Sequence, residues 1–146
     1  MASRQPAGSF VQWPAQAALA SLIERGLFAR HVGKMRRAYS ARHDRILRTL
    51  ERDFAEWLVP VPSVTGLHVA ARMRSRDVRV EEKVAQAARR KGVRFDRLSA
   101  YYASAPAQTG VVLGYGAIPE PRIEEGLRRL RRCFAAVTNG RGHDPR

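Results

Sequence analysis

The chain has 146 residues and is 45% hydrophobic, which suits one domain, or part of one, with an ordinary core. Its net charge is +14 and its pI about 11.4; no apolar run approaches the ~18 residues of a membrane span, and the N-terminus lacks a signal-peptide layout. The single cysteine, Cys133, excludes an internal disulfide, so a cytoplasmic protein is expected.

Residues 1–14 carry Pro6, Gly8 and Pro14 and are expected to be irregular. Helix formers fill 15–24, and Gly26 suits a helix stop. A long helix is predicted over 27–57. Its stripe is Phe28, Val32, Met35, Tyr39, Ile46, Leu50, Phe54 and Trp57, and its arginines lie largely off that face. His43 falls near the stripe and reads as a packed histidine, since no second metal ligand lies at a helical offset.

Val59 and Val61, then residues 66–73 ("GLHVAARM"), read as two short strands bounded by Pro60, Pro62 and Gly66. A helix is predicted over 80–91. Glu81 and Glu82 sit in its first turn, where the helix dipole favours acids, and Gly92 follows its end. Residues 93–98 ("VRFDRL") predict a strand and 99–110 a loop carrying Tyr101 and Tyr102. The apolar octet "VVLGYGAI" (111–118) predicts a strand central in its sheet. A closing helix over 119–137 buries Ile123, Leu127, Leu130, Phe134 and Val137, with Cys133 on its apolar stripe as a buried, inert thiol. The fold class expected is α/β: a small mixed sheet with helices packed mainly on one face, preceded by a long interdomain helix.

Little here supplies chemistry. Gly114 and Gly116 lie within or at the end of a strand, with no helix N-terminus directly after them, so they do not form a phosphate-cradling loop. They are expected to let another group pack close to the backbone. His31, His43, His68 and His143 are scattered, which argues against a zinc site, and no metal site is expected. No serine sits in a nucleophile elbow. Glu81 and Glu82 are adjacent on a helix, do not face one another, and read as end-of-helix acids. Only Lys34, Lys83 and Lys91 are lysines, so the positive charge is almost all arginine. It is spread over the polar faces of the predicted helices, as a solvated surface would be. The sequence by itself predicts no self-sufficient active site.

Several segments together resemble one family. "QAALASLIERGLFARHVGKMRRAYSARHDRIL" (16–47), "GLHVAARM", "GVRFDRLSAYY" and "GVVLGYGAIPEPRIEEGLRRL" resemble, in order and spacing, the C-terminal part of MocR/GabR-type regulators of the GntR superfamily. Those proteins join a winged-helix DNA reader to a pyridoxal-phosphate-dependent aminotransferase-like domain of fold type I. The resemblance runs from about Gln16 to Phe134; no single motif is diagnostic. It implies that residues 1–26 are an irregular segment and helix belonging to the large cofactor domain, 27–138 the small domain, and 139–146 a tail.

The resemblance further implies that the cofactor lysine, the cofactor's other ligands and the DNA reader all lie upstream. This chain is then a fragment that holds no cofactor and is catalytically silent alone. Its expected partners are the large pyridoxal 5'-phosphate domain or a homodimer mate. DNA is reached only through the winged helix, and no membrane is involved. In fold-type-I aminotransferases the strand equivalent to the octet often carries an arginine that clamps the substrate carboxylate. That position here is Val112, whose side chain has no donor, so amino-acid transamination does not follow from the resemblance. Val112, Tyr101 and Tyr102 are the residues expected at an effector cleft. Two other readings are a fragment of a genuine class I/II aminotransferase and a stand-alone basic nucleic-acid binder.

Overall fold

The computed structural model describes residues 13–63, 66–103 and 108–139; of the irregular segment expected over 1–14 and the tail expected over 139–146, residues 1–12 and 140–146 lie outside the described residues, while Trp13, Pro14 and Asn139 are helical. The chain divides into two compact units, Met1–Ala38 and Tyr39–Arg146.

In the first unit, α1 (Trp13–Glu24) starts slightly earlier than predicted, with Pro14 in its first turn. There a missing N–H leaves no helical bond unmade. Gly26, at φ +68°, takes the left-handed conformation and turns the chain into α2 (Leu27–Asp53). No residue of α1 is buried, and Phe28 and Val32 of α2 are 46% and 37% exposed. The division between the two compact units falls inside α2, after Ala38. Burial on that helix begins only farther along, at Ile46 and Leu50.

The second unit contains the rest of α2, then β1 (Leu58–Pro60), β2 (His68–Met73), α3 (Val78–Arg90), β3 (Asp96–Arg97), a 3-10 turn (Leu98–Tyr101), β4 (Gly110–Gly114) and α4 (Glu120–Asn139). The predicted long helix stops at Asp53 instead of Trp57, and Trp57 and Leu58 both donate backbone N–H groups to the Phe54 carbonyl at 2.8 Å. The helical apolar spacing runs past the true end because this turn keeps Phe54 and Trp57 facing the same core. Phe54 is buried, and Trp57 stacks on Phe134 at 5.6 Å between ring centroids.

The sheet order is β1-β2-β4-β3, so β4 is an inner strand, as its continuous apolar character implied. The expected mixed sheet is antiparallel at every described pairing. The reason is topological. The β2-α3-β3 crossover does make β2 and β3 run the same way, but β4 inserts between them, so no parallel ladder forms. The predicted strand over 93–98 shrinks to a two-residue edge strand, because the chain tightens at once into the 3-10 turn.

One face of the sheet supplies Leu58, Val69, Ala71, Met73, Val111 and Leu113 to the core. They meet Ile46 and Leu50 of α2, Val80, Val84 and Ala88 of α3, and Ile123, Leu127, Leu130 and Phe134 of α4. Helices thus cover one side, as expected of this two-layer class. Cys133 is buried in that core; burial pushes its thiol up, and the nearby charges of Lys91 and Arg90 oppose the shift. Among the described residues no helix is long and apolar enough to cross a membrane.

Candidate functional site

Strand alternation puts every second residue of the sheet on the face the helices leave uncovered. Register aligns Ala70 with Val112 and Val112 with Asp96, so these three residues form one row across β2, β4 and β3. Arg72 stands opposite Gly110, and His68 opposite Gly114. Val112 and Ala70 are half-buried; Arg72, Asp96 and His68 are exposed.

Tyr101 joins this row. Its hydroxyl donates to Asp96 Oδ2 at 3.2 Å, from the end of the 3-10 turn that follows the edge strand. The Asp96 charge, then burial, then this hydrogen bond hold the Tyr101 phenol above its ordinary pKa. Val112 and Tyr101 are therefore linked through Asp96, while Tyr102 is the next residue along the chain. Tyr102 is 43% exposed and is tied by its backbone N–H to the Ser99 carbonyl at 3.3 Å.

Glu81 sets this arrangement, and the sequence reading passed over that role. Asp77 is the residue that caps α3, accepting the Arg79 N–H at 2.8 Å, while Glu81 points inward and is fully buried. Its Oε1 accepts the Gly110 N–H at 2.8 Å and the Ser99 N–H at 3.2 Å, and its Oε2 accepts the Ser99 hydroxyl. One carboxylate thus clamps the turn that carries Tyr101 to the start of the strand that carries Val112. The sequence did hold a signal, because Glu81, Val84, Ala85 and Ala88 share one helical stripe and all are buried. An acid in phase with buried apolar residues needs internal donors.

The glycines of the octet are less constrained than the one just before it. A Cβ on Gly114 would lie 3.3 Å from the His68 ring, and one on Gly116 would lie 3.0 Å from Leu67 Cδ1, both side-chain atoms that can yield. A Cβ on Gly110 would lie 2.3 Å from the backbone oxygen of Ala71 and 2.9 Å from Leu98 Cδ2. Gly110→Ala is therefore expected to push β4 off β2 and cost about 1–3 kcal/mol in urea-unfolding free energy. Gly114→Ala, as the comparison, should cost well under half as much, and equal losses would count against this close approach.

Past Gly114 the octet leaves the strand. Tyr115 is buried and donates its hydroxyl to the Gly66 carbonyl at 2.8 Å, and Arg42 Nη1 donates to the Gly116 carbonyl at 2.9 Å. His43 packs against the Tyr115 ring at 6.1 Å between centroids, in keeping with a packed histidine. Among the described residues no cluster of three or more His, Cys, Asp or Glu could hold a metal ion.

With this geometry established, known proteins give it a context. No family model matches the chain. It is 36% identical over 122 residues to the probable rhizopine catabolism regulatory protein MocR of Rhizobium meliloti, covering 84% of this chain and 24% of that protein. It is 30% identical over 122 residues to the uncharacterized HTH-type transcriptional regulator YhdI of Bacillus subtilis, covering 84% of this chain and 26% of that protein. The chain thus spans about a quarter of the length of the curated relatives it matches.

Among solved structures it superposes on LysN, the α-aminoadipate aminotransferase of Thermus thermophilus, with TM-score 0.69 and 20% identity, covering 83% of this chain and 30% of that one. It also superposes on the kynurenine aminotransferase of Pyrococcus horikoshii, with TM-score 0.66 and 23% identity, covering 79% and 28%. At those identities the structural likeness establishes the fold alone. In sequence the chain is a relative of the MocR-type regulators, and in fold it matches part of the fold-type-I aminotransferases it superposes on.

Proposed function

We propose that the chain is the effector-facing small domain of a MocR-type regulator and is catalytically silent by itself. In this reading its uncovered sheet face, with Val112, Asp96 and Tyr101 in one linked row, forms one wall of an effector cleft. Pyridoxal 5'-phosphate and the winged-helix DNA reader belong to other parts of the parent protein. The observation that carries the reading is the row itself. At its centre stands the apolar Val112, at the position where the resemblance to fold-type-I aminotransferases implies that a carboxylate-binding arginine often stands.

A cofactor held by this chain alone would need a lysine amine near that face. Lys34, Lys83 and Lys91 instead lie exposed, on α2, on α3 and at the end of α3, and none belongs to a sheet strand. The described residues therefore do not fit the cofactor on their own, which supports a cofactor site supplied from elsewhere. The exposed apolar residues of the first unit, Trp13, Leu22, Ile23 and Phe28 among them, suit a surface made to be covered by the large domain.

Two measurements test this. An antibody raised against α4 should detect a native product several times the 16.4 kDa of the chain, carrying stoichiometric pyridoxal phosphate. The 146-residue chain alone should take up no borohydride-fixed pyridoxal phosphate on Lys34, Lys83 or Lys91, and should bind an apolar-surface dye strongly. A native product of 16.4 kDa, or specific labelling of one of those lysines, would overturn the reading.

A further inference from the structure

Tertiary structure gathers arginines that the sequence appeared to scatter. Arg45, Arg48 and Arg52 recur at i, i+3 and i+7 on α2, and Arg128, Arg131 and Arg132 at i, i+3 and i+4 on α4. Each set lies on one face of its helix. The two helices are bridged by side chains and run the same way. Arg45 Nη1 reaches Glu124 Oε1 at 2.9 Å near one end, and Arg131 Nε donates to the Asp53 carbonyl at 3.2 Å near the other. All six arginines therefore line one groove of about 700 Å³, and Asp53 and Glu124 are the carboxylates among its described lining residues. The Arg45–Arg52 row extends about 10 Å along its helix axis.

Part of this charge is already engaged. Arg45 pairs with Glu124 and Glu120, Arg52 makes a two-point contact with Asp53, and Arg128 pairs with Glu125. Arg48 and Arg132, which also line the groove, make no hydrogen bond or ion pair among the described residues. Against the expectation that DNA is reached only through the winged helix, we propose that this α2–α4 groove is a phosphate-backbone contact for duplex DNA, adding sequence-independent affinity to a DNA reader elsewhere in the protein. The choice of DNA rests on the regulator reading above. The need for a polyanion rests on the groove alone.

Its chemistry excludes other occupants. A small anion would need donors converging on one buried point, whereas the Arg45, Arg52 and Arg128 side chains are 45%, 75% and 68% exposed and are strung along two rows. Guanidinium forks in rows match phosphates that repeat along a strand. The apolar lining residues, Phe54 and Leu127, are buried in the floor, so the groove has no exposed ring for stacking single-stranded bases and no apolar residue to insert into a membrane.

The test uses the full chain, a fluorescent mixed-sequence duplex of about 20 base pairs, and salt varied from about 50 to 200 mM. The double variant Arg48→Ala/Arg132→Ala removes the two unengaged groups. Arg79→Ala/Arg94→Ala removes equal charge elsewhere on the second unit, and thermal melts confirm that both pairs stay folded. The groove variant should bind about tenfold more weakly at low salt, with the slope of log K against log salt smaller by about 2. The control pair should lose no more than about a third of that slope change. Equal losses in both pairs would mean diffuse charge and would overturn the proposal. So would no binding by the unaltered chain, equal binding to anionic phospholipid vesicles, or full competition by inorganic phosphate at matched phosphate concentration. Neither the cofactor nor the native product enters this assay, so its failure leaves the regulator reading standing. Failure of the native-mass measurement likewise leaves the groove result readable.

Discussion

Replacing Glu81 with alanine is expected to destabilise the second unit by about 3–5 kcal/mol, close to half the stability of a typical domain. The carboxylate is fully buried and serves three donors: the Ser99 N–H, the Ser99 hydroxyl and the Gly110 N–H. Removing it leaves two backbone N–H groups facing a void, at about 1–3 kcal/mol each, and adds a cavity. Glu81→Gln keeps the shape and an acceptor oxygen for the two N–H groups but turns an NH2 group toward the Ser99 hydroxyl, which must switch from donating to accepting, so a smaller loss of about 1–2 kcal/mol is expected. Ser99→Ala removes only one bond and should cost about 1 kcal/mol. Urea unfolding of the four proteins checks this order. A loss below about 1 kcal/mol for Glu81→Ala would mean that the clamp does not hold the site. The Tyr101 segment should also become more open to proteolysis in Glu81→Ala, because the same carboxylate anchors that turn.

Phe134→Ala is expected to cost as much, about 3–5 kcal/mol, for a different reason. Phe134 is fully buried on α4, edge-on to Phe54 at 5.9 Å and stacked on Trp57 at 5.6 Å between centroids. Its loss opens a large cavity where α4, the end of α2 and the turn into β1 meet. Phe134→Leu fills most of that space and should cost about 1–2 kcal/mol. Trp57 reports the change directly. In a Trp13→Phe background its emission should shift to the red in Phe134→Ala and change little in Phe134→Leu. Unchanged emission together with a loss below about 1 kcal/mol would show that this aromatic cluster does not hold the helix against the turn.

Most of the architecture was legible in the residues. Helical spacing on Ile46, Leu50 and Phe54 and on Ile123, Leu127, Leu130 and Phe134 marked the two helices that cover the sheet, and these residues form the core. The unbroken apolar run at Val111, Val112 and Leu113 marked an inner strand. Such patterns are local: one helix face or one strand records its own burial in its own sequence. The long helix was read too far because Phe54 and Trp57 keep the helical apolar spacing even though the backbone has already turned. The edge strand was read too long because "VRFDRL" has strand composition, and what shortens it is the turn tied to Glu81.

For the candidate site, Val112 and Tyr101 were named from the sequence, but Asp96, the group that links them, was not. Cross-strand register cannot be read from either strand alone. Glu81 was assigned to the helix end because position in the first turn is a local signal, whereas its three donors come from residues 18 and 29 positions away. The sequence by itself determined the helices, the core stripes, the inner strand and the likeness to MocR-type regulators. Only the tertiary structure decided the insertion of β4 between β2 and β3, the inward turn of Glu81, and the meeting of two arginine rows across one groove. Each of those depends on which distant segments become neighbours, and that pairing is set by closing the whole core, not by any one segment's periodicity.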